Sequence, residues 1–226
     1  MAGIIVSFAS NGGTTHGYLA TPTGAGPGVI VIQEWWGLVP HIKHICDRLA
    51  AEGFTALAPD LYHGRTTTAP DEAGRLMMAL NIGQAAKDLN GAVAFLLGHK
   101  AAAGKRTVGV IGFCMGGQLA LSAACENPAI GACVDFYGIH PNVKPKLSGL
   151  QAPILGIFGE QDGSVTPAAV RKLEADLNKA GKKSDFTIYP NAGHAFFNDA
   201  RPDVYHEESA RKAWQKTCAF LRQQLS

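Results

Sequence analysis

A chain of 226 residues, 46% apolar and 17% charged, is long enough to bury a sizeable core, which excludes a largely disordered protein. A net charge of +2 without any Lys/Arg block gives no mandate for a nucleic-acid partner. No apolar run is long enough to span a bilayer, and Met1-Ala2-Gly3-Ile4-Ile5-Val6-Ser7 lacks the basic and long apolar regions of a signal peptide, so a cytoplasmic protein with no membrane partner is expected.

In chain order, Ile4 to Phe8 and Thr14 to Ala20 read as strands around the hairpin signal Asn11-Gly12-Gly13. Gly24-Ala25-Gly26-Pro27 is a loop; no helix opens there and no third glycine follows, so a dinucleotide site is rejected. Gly28 to Ile32 is a continuous β-branched run, as for a strand buried on both faces, and ends in Gln33-Glu34-Trp35-Trp36-Gly37. A helix is expected from His41 to Ala51, a strand from Phe54 to Ala58, and a polar, Thr-rich loop from Leu61 to Pro70. Helices follow at Asp71 to Leu80 and Gly83 to His99. After the strand Val108 to Ile111 comes a helix over Met115 to Cys125, with Leu119, Ala120, Ala123 and Ala124 at helical spacing.

The second half continues the alternation. Ile130 to Phe136 is a strand, and Gly138 to Ala152 is a long aperiodic connection of the kind that is usually functional or mobile. Strands at Pro153 to Phe158 and Phe186 to Tyr189 flank a helix to Ala180, with Thr166 as its cap and Pro167 at its first position. The last helix is expected from Asp203 to about Leu225. An N-terminal hairpin followed by alternating strands and helices predicts an α/β fold over residues 1–226, one domain with a mostly parallel sheet covered on both faces.

Gly112-Phe113-Cys114-Met115-Gly116 joins a strand to a helix in the nucleophile-elbow pattern, with cysteine in the serine position. A bend this sharp needs Gly112 and Gly116, because strand and helix crowd each other there. It raises the Cys114 sulfur above the sheet and aims the Met115 N–H and the helix N-terminus at whatever the sulfur attacks. The plainer alternative is an ordinary βα turn around a buried cysteine. Cys46, Cys114, Cys125, Cys133 and Cys218 form no C-x-x-C pair, which suits a reducing compartment.

Asp162 and His194 each follow a strand, as Cys114 does, and the order nucleophile, acid, histidine is that of α/β-hydrolases. His194 can move the thiol proton, with Asp162 on its other ring nitrogen. Alternatively, Asp162 closes an Asx-turn and His194 fills a glycine-rich turn. The backbone N–H of Trp35 is a second oxyanion donor beside Met115, although one of Trp35 and Trp36 can equally be a core or pocket-wall aromatic. Glu34, at the tip of a buried strand, needs a role or a partner: it accepts the thiol proton or makes a salt bridge. His41 and His44, expected on one helix face, and Cys46 lack a second cluster with ligand spacing, so neither a metal nor another cofactor is expected.

These residues resemble the dienelactone hydrolases (carboxymethylenebutenolidases). The likeness rests on Gln33-Glu34-Trp35-Trp36-Gly37, Ala58-Pro59-Asp60-Leu61-Tyr62, Gly112-Phe113-Cys114-Met115-Gly116-Gly117, Phe136-Tyr137-Gly138, Gly159-Glu160-Gln161-Asp162 and Ala192-Gly193-His194-Ala195-Phe196. It implies an α/β-hydrolase fold, and a Cys114-Asp162-His194 triad that cleaves a lactone or small ester through an acyl-thioester. It also implies a Glu34 that pairs with the resting thiol and collects its proton when substrate binds. Trp36, Tyr137, Phe196, Arg65 and Arg75 are the implied substrate contacts, and a monomer or weak homodimer is the implied assembly. The family's two carboxylate-binding arginines align near Pro70 and at Asn198, so Arg65, Arg75 or Arg201 would have to substitute, and dienelactone itself is not the expected substrate. A non-catalytic ligand-binding descendant, or an esterase with another substrate, is the alternative.

Overall fold

Runs without a polar position become inner strands. In the computed structural model, which describes residues 2–10, 12–102 and 106–225, the strands are β1 (Ile4–Ser10), β2 (Gly13–Ala20), β3 (Gly28–Ile32), β4 (Thr55–Pro59), β5 (Val108–Phe113), β6 (Ile130–Phe136), β7 (Ile154–Gly159) and β8 (Ser184–Tyr189). Every residue of β3, β4, β5 and β7 is buried. The helices are α1 (Pro40–Ala51), α2 (Pro70–Ala79), α3 (Ile82–Gly98), α4 (Met115–Glu126), α5 (Pro167–Lys179) and α6 (Glu207–Leu225).

The sheet order is β1-β2-β4-β3-β5-β6-β7-β8. β2 runs antiparallel to β1 and β4, and the remaining neighbours are parallel. This is an α/β-hydrolase fold. Alternation along each inner strand builds two cores. Val29, Val31, Ile111 and Val134 face α1 and α6, against Ile42, Leu49, Ala213 and Leu221. Ile30, Ile32, Val110 and Cys133 face α3 and α4, against Leu89, Val93, Leu119 and Leu121. Each such fully buried aliphatic chain contributes roughly 1.5–3 kcal/mol of apolar transfer.

The expected elements are present, with ends displaced by a few residues. The largest displacement is at α6, which begins at Glu207 rather than Asp203. Turns at Val204 and Tyr205 close on the Arg201 carbonyl, the His206 N–H donates to Phe196 O, and the His206 ring accepts the Ser209 N–H at 3.4 Å. These bonds hold residues 201–206 against the site and start the helix after them. Thr166 caps α5 through the Ala169 N–H. In the hairpin turn, Asn11 lies outside the described residues, and Gly12 has φ +75°. His41 and His44 do not share a face, because the first is buried and the second exposed. Among the described residues, no helix is long and apolar enough to cross a membrane.

A Cβ on Gly112 would lie 1.9 Å from the Gly116 carbonyl oxygen, a collision of backbone with backbone. Gly98, the last residue of α3, has open space at its Cβ position. Urea denaturation should therefore show Gly112→Ala losing at least about 3 kcal/mol, while Gly98→Ala is neutral or gains up to about 1 kcal/mol.

Candidate active site

β5 ends against α4 with almost no separation. Besides the Gly112 contact, a Cβ on Gly116 would meet the carbonyl oxygens of Ile32 and Gln33 at 2.5 Å. Cys114 takes φ 52° and ψ −119°, a strained conformation that costs of order 1–3 kcal/mol. Three backbone bonds hold it. Its N–H donates to Phe136 O at 3.0 Å, and its carbonyl accepts from Gly117 at 2.9 Å and Ile139 at 3.1 Å. The residue is only 7% exposed, and it lines a cavity of about 530 Å3.

The loops after β7 and β8 are pinned together. Glu160 N–H donates to Tyr189 O, and Gln161 N–H to Ala192 O, both at 2.9 Å. This brings His194 Nδ1 to 2.8 Å from Asp162 Oδ2. The other Asp162 oxygen accepts the N–H groups of Ser164 at 2.7 Å and Val165 at 2.8 Å. Asp162 thus closes an Asx-type turn with one oxygen and holds the imidazole with the other. Burial lowers the His194 pKa, but hydrogen bonds to Asp162 and to the Cys114 sulfur more than reverse this, raising it to about 10.

Glu34 also lines the cavity and is 1% exposed. Its Oε2 accepts the Asn198 amide at 2.7 Å, while Oε1 is buried without a hydrogen-bond partner. Burial raises its pKa to about 7, against the opposing pull of the Asn198 bond and of the charges on His194 and Arg201. No salt bridge to Lys or Arg accompanies it among the described residues. Trp35 and Trp36 are both on the cavity wall. Met115 opens α4, with its side chain buried and its sulfur accepting the Tyr62 hydroxyl at 3.2 Å.

The expected substrate contacts separate. Arg65 and Arg75 are on the outer surface, both paired with Glu72, at 2.9 and 2.8 Å. They are absent from the cavity wall, so their assignment is corrected. Arg65 precedes α2 and Arg75 lies on its polar, exposed side, where nothing turns either inward. Tyr137 and Phe196 are fully buried behind the wall, the Tyr137 ring 5.1 Å from that of His194 and 5.7 Å from Phe196. They support the site from the core. The cation on the wall is Arg201, tethered to Asp203 at 2.5 Å and lying 5.7 Å from the Trp36 ring centre.

Two wall residues carried no sequence signal. His140, from the aperiodic segment after β6, has Nε2 3.2 Å from Met77 O and accepts the Asn142 N–H at 3.1 Å, so it ties that segment to α2. Met77 lies beside it on the wall. Periodicity cannot reveal a contact between a loop and a helix tip. Among the described residues, no group of three or more His, Cys, Asp or Glu could hold a metal ion.

A sequence profile of the dienelactone hydrolase family matches residues 15–225. The chain belongs to the dienelactone hydrolase family. It is 39% identical to Protein usf of Aquifex pyrophilus, over 99% of this chain and 100% of that one. It is 36% identical to an Aquifex aeolicus protein provisionally named a carboxymethylenebutenolidase, over 99% of each. Among solved structures, a Klebsiella pneumoniae protein provisionally named a dienelactone hydrolase superposes with a TM-score of 0.87 at 32% identity, covering 99% of this chain and 100% of that one. This dienelactone hydrolase family member is accordingly a carboxylic ester hydrolase.

Two measurements check the electrostatics. Asp162→Asn removes the charge facing His194, so the imidazole titration followed by NMR should fall from about 10 toward its ordinary 6.5. Asp135, fully buried at the end of β6, has neither oxygen in a well-formed hydrogen bond. Burial raises its pKa from 3.8 to about 7, against a smaller pull from the Gly138 N–H. The native state therefore binds the extra proton between those values, and this group's stability contribution declines as pH rises from about 4 to 7. Unfolding of Asp135→Asn measured at pH 5 and pH 8 should show the variant gaining on wild type at the higher pH.

Proposed function

We propose that the protein hydrolyses a small carboxylic ester or lactone by nucleophilic attack of Cys114, through an acyl-thioester. The observation that carries this reading is His194 held at 2.8 Å by buried Asp162 while sharing a cavity wall with Cys114 at a strained strand-to-helix bend. In the resting site the sulfur is a thiol, Glu34 a carboxylate and His194 an imidazolium. The thiol proton passes to Glu34, leaving a thiolate beside His194. Sulfur then bonds to the carbonyl carbon, and the N–H groups of Trp35 and Met115 receive the oxyanion.

Collapse breaks the C–O bond, and the leaving alkoxide takes its proton from His194. Neutral His194 next deprotonates a water, whose oxygen attacks the thioester carbon. The acid leaves, and the thiolate recovers its proton from Glu34. Asp162 keeps the imidazole oriented and stabilises its charged form throughout. No cofactor enters these steps. A thiol kept protonated until substrate arrives is also less open to oxidation.

The cavity of about 530 Å3 suits a small acyl group, with Trp35, Trp36 and Ile139 as apolar wall. Arg201 supplies one cation where bidentate recognition by a pair would need two. Esters and lactones without a free carboxylate are therefore accepted, and dienelactone is not the preferred substrate. We further read the chain as one domain, cytoplasmic, monomeric or weakly dimeric, with no nucleic-acid or membrane partner.

Hydrolysis of p-nitrophenyl acetate and of a lactone panel tests the reading. Cys114→Ala should lose at least about 10³-fold in kcat/KM, and Glu34→Gln about 10²-fold with the fold intact by circular dichroism. Equal rates in wild type and Cys114→Ala would refute it.

A further inference from the structure

Glu34 is a buried carboxylate with two unlike oxygens. Oε2 is engaged by a neutral amide, and Oε1 has no hydrogen-bond partner. The amide belongs to Asn198, which is 2% exposed and fixed on three sides. Its own N–H donates to Ala195 O at 2.9 Å, its carbonyl accepts from Arg201 at 3.1 Å, and its Oδ1 accepts the Ala200 N–H at 3.2 Å. The last bond orients the side chain so that Nδ2 faces Glu34. Asn198 is absent from the wall shared by Cys114 and His194; it lines a neighbouring cavity of about 340 Å3 behind Trp36 and Arg201. Its side-chain amide therefore reaches the reacting groups through Glu34.

We propose that Asn198 is a positioning residue for the reaction, holding Glu34 by Oε2 so that Oε1 stays open as the atom that receives the Cys114 proton. This rests on the thiol-to-Glu34 transfer proposed above. In that step the S–H bond breaks, its electron pair stays on sulfur, and an O–H bond forms at Oε1; the reverse transfer restores both groups after deacylation.

The chemical nature of the donor matters. A cation at this position would hold the carboxylate ionised and make it a weak base. An apolar group would leave it unanchored and drive it toward the neutral acid. An uncharged amide gives orientation and leaves basicity, so the carboxylate titrates near the pH at which it must work. The other groups acting on Glu34 are His194 from the loop after β8, Arg201 from the turn before α6, and, with like charge when ionised, Tyr137 after β6. None of these is hydrogen-bonded to the Asn198 side chain, whose partners are Glu34 and the Ala200 N–H.

The experiment is the pH profile of kcat/KM for p-nitrophenyl acetate in wild type, Asn198→Leu, Glu34→Gln and the double variant. Wild type should lose activity below an acid limb near pH 7, where Glu34 takes up its proton. Asn198→Leu should move that limb up by about one pH unit, with KM changed less than about threefold. Glu34→Gln should abolish the limb, and Asn198→Leu in that background should change the profile no further. Asn198→Asp, which is isosteric and keeps the Ala200 bond, should move the limb further upward and serves if the leucine variant fails to fold. A limb that stays in place in both Asn198 variants, or one that persists in Glu34→Gln, overturns the proposal. Turnover surviving Cys114→Ala would instead remove the underlying reaction scheme.

Discussion

Everything at the site depends on how closely two backbones approach. β5 and α4 meet with Gly112 against Gly116, and Gly116 in turn lies against the carbonyls that end β3. A single methyl at either position would overlap main-chain atoms, which cannot rotate away. That contact puts two things within one cavity wall, the end of β3 with Glu34 and Trp35 and the elbow with Cys114, with Met115 buried directly behind at the start of α4. It also forces Cys114 to a positive φ, which the hydrogen bonds to Phe136, Gly117 and Ile139 hold in place. Tyr137 and Ala195, both beside the site, also have positive φ, and a well-packed sheet balances this local strain.

A second organising feature is the charge buried around this bend. Glu34, Asp135 and Asp162 are all nearly solvent-free, yet their surroundings differ. Asp162 receives two backbone N–H groups and an imidazole, and it is the best satisfied of the three. Glu34 receives one amide, and Asp135 no well-formed bond, so burial lifts both toward neutrality. A carboxylate with all its acceptor sites filled can only orient its neighbour. A carboxylate with one oxygen open can take a proton, and this distinction underlies the different roles proposed for Asp162 and Glu34. Two buried carboxylates in one site thus differ in what their surroundings leave open to them.

Much of the fold could be read directly. β3 is legible because five apolar residues in a row leave no polar face, and Gly28–Ile32 is where the strand lies. Thr166 and Pro167 mark the start of α5 by cap chemistry. The start of α6 was not legible, because Asp203 to His206 contain no Gly or Pro to break a helix while their backbone is committed to turns on Arg201 and to Phe196. At the site, the elbow motif and the strand-end positions pointed to Cys114, Asp162 and His194, of which the first and last share a cavity wall and the last two a hydrogen bond. Arg65 and Arg75 were misplaced because a sequence gives a cation's position along the chain but not which way its side chain faces in the fold. Asn198 could be seen as the absence of an arginine, but not as the group that would hold Glu34 in its place.

What the sequence by itself determined follows from local rules. Alternating strands and helices dictate the sheet, glycine spacing dictates the bend, and the positions of Cys114, Asp162 and His194 after their strands place all three at one edge of that sheet. Tertiary structure alone decided the rest: that Asp162 divides its oxygens between a turn and an imidazole, that Arg201 rather than Arg65 or Arg75 reaches the cavity, and that Glu34 faces an amide. These depend on contacts between residues up to 164 positions apart in the chain, as Glu34 and Asn198 are, and no periodicity or motif encodes a distance across a folded sheet.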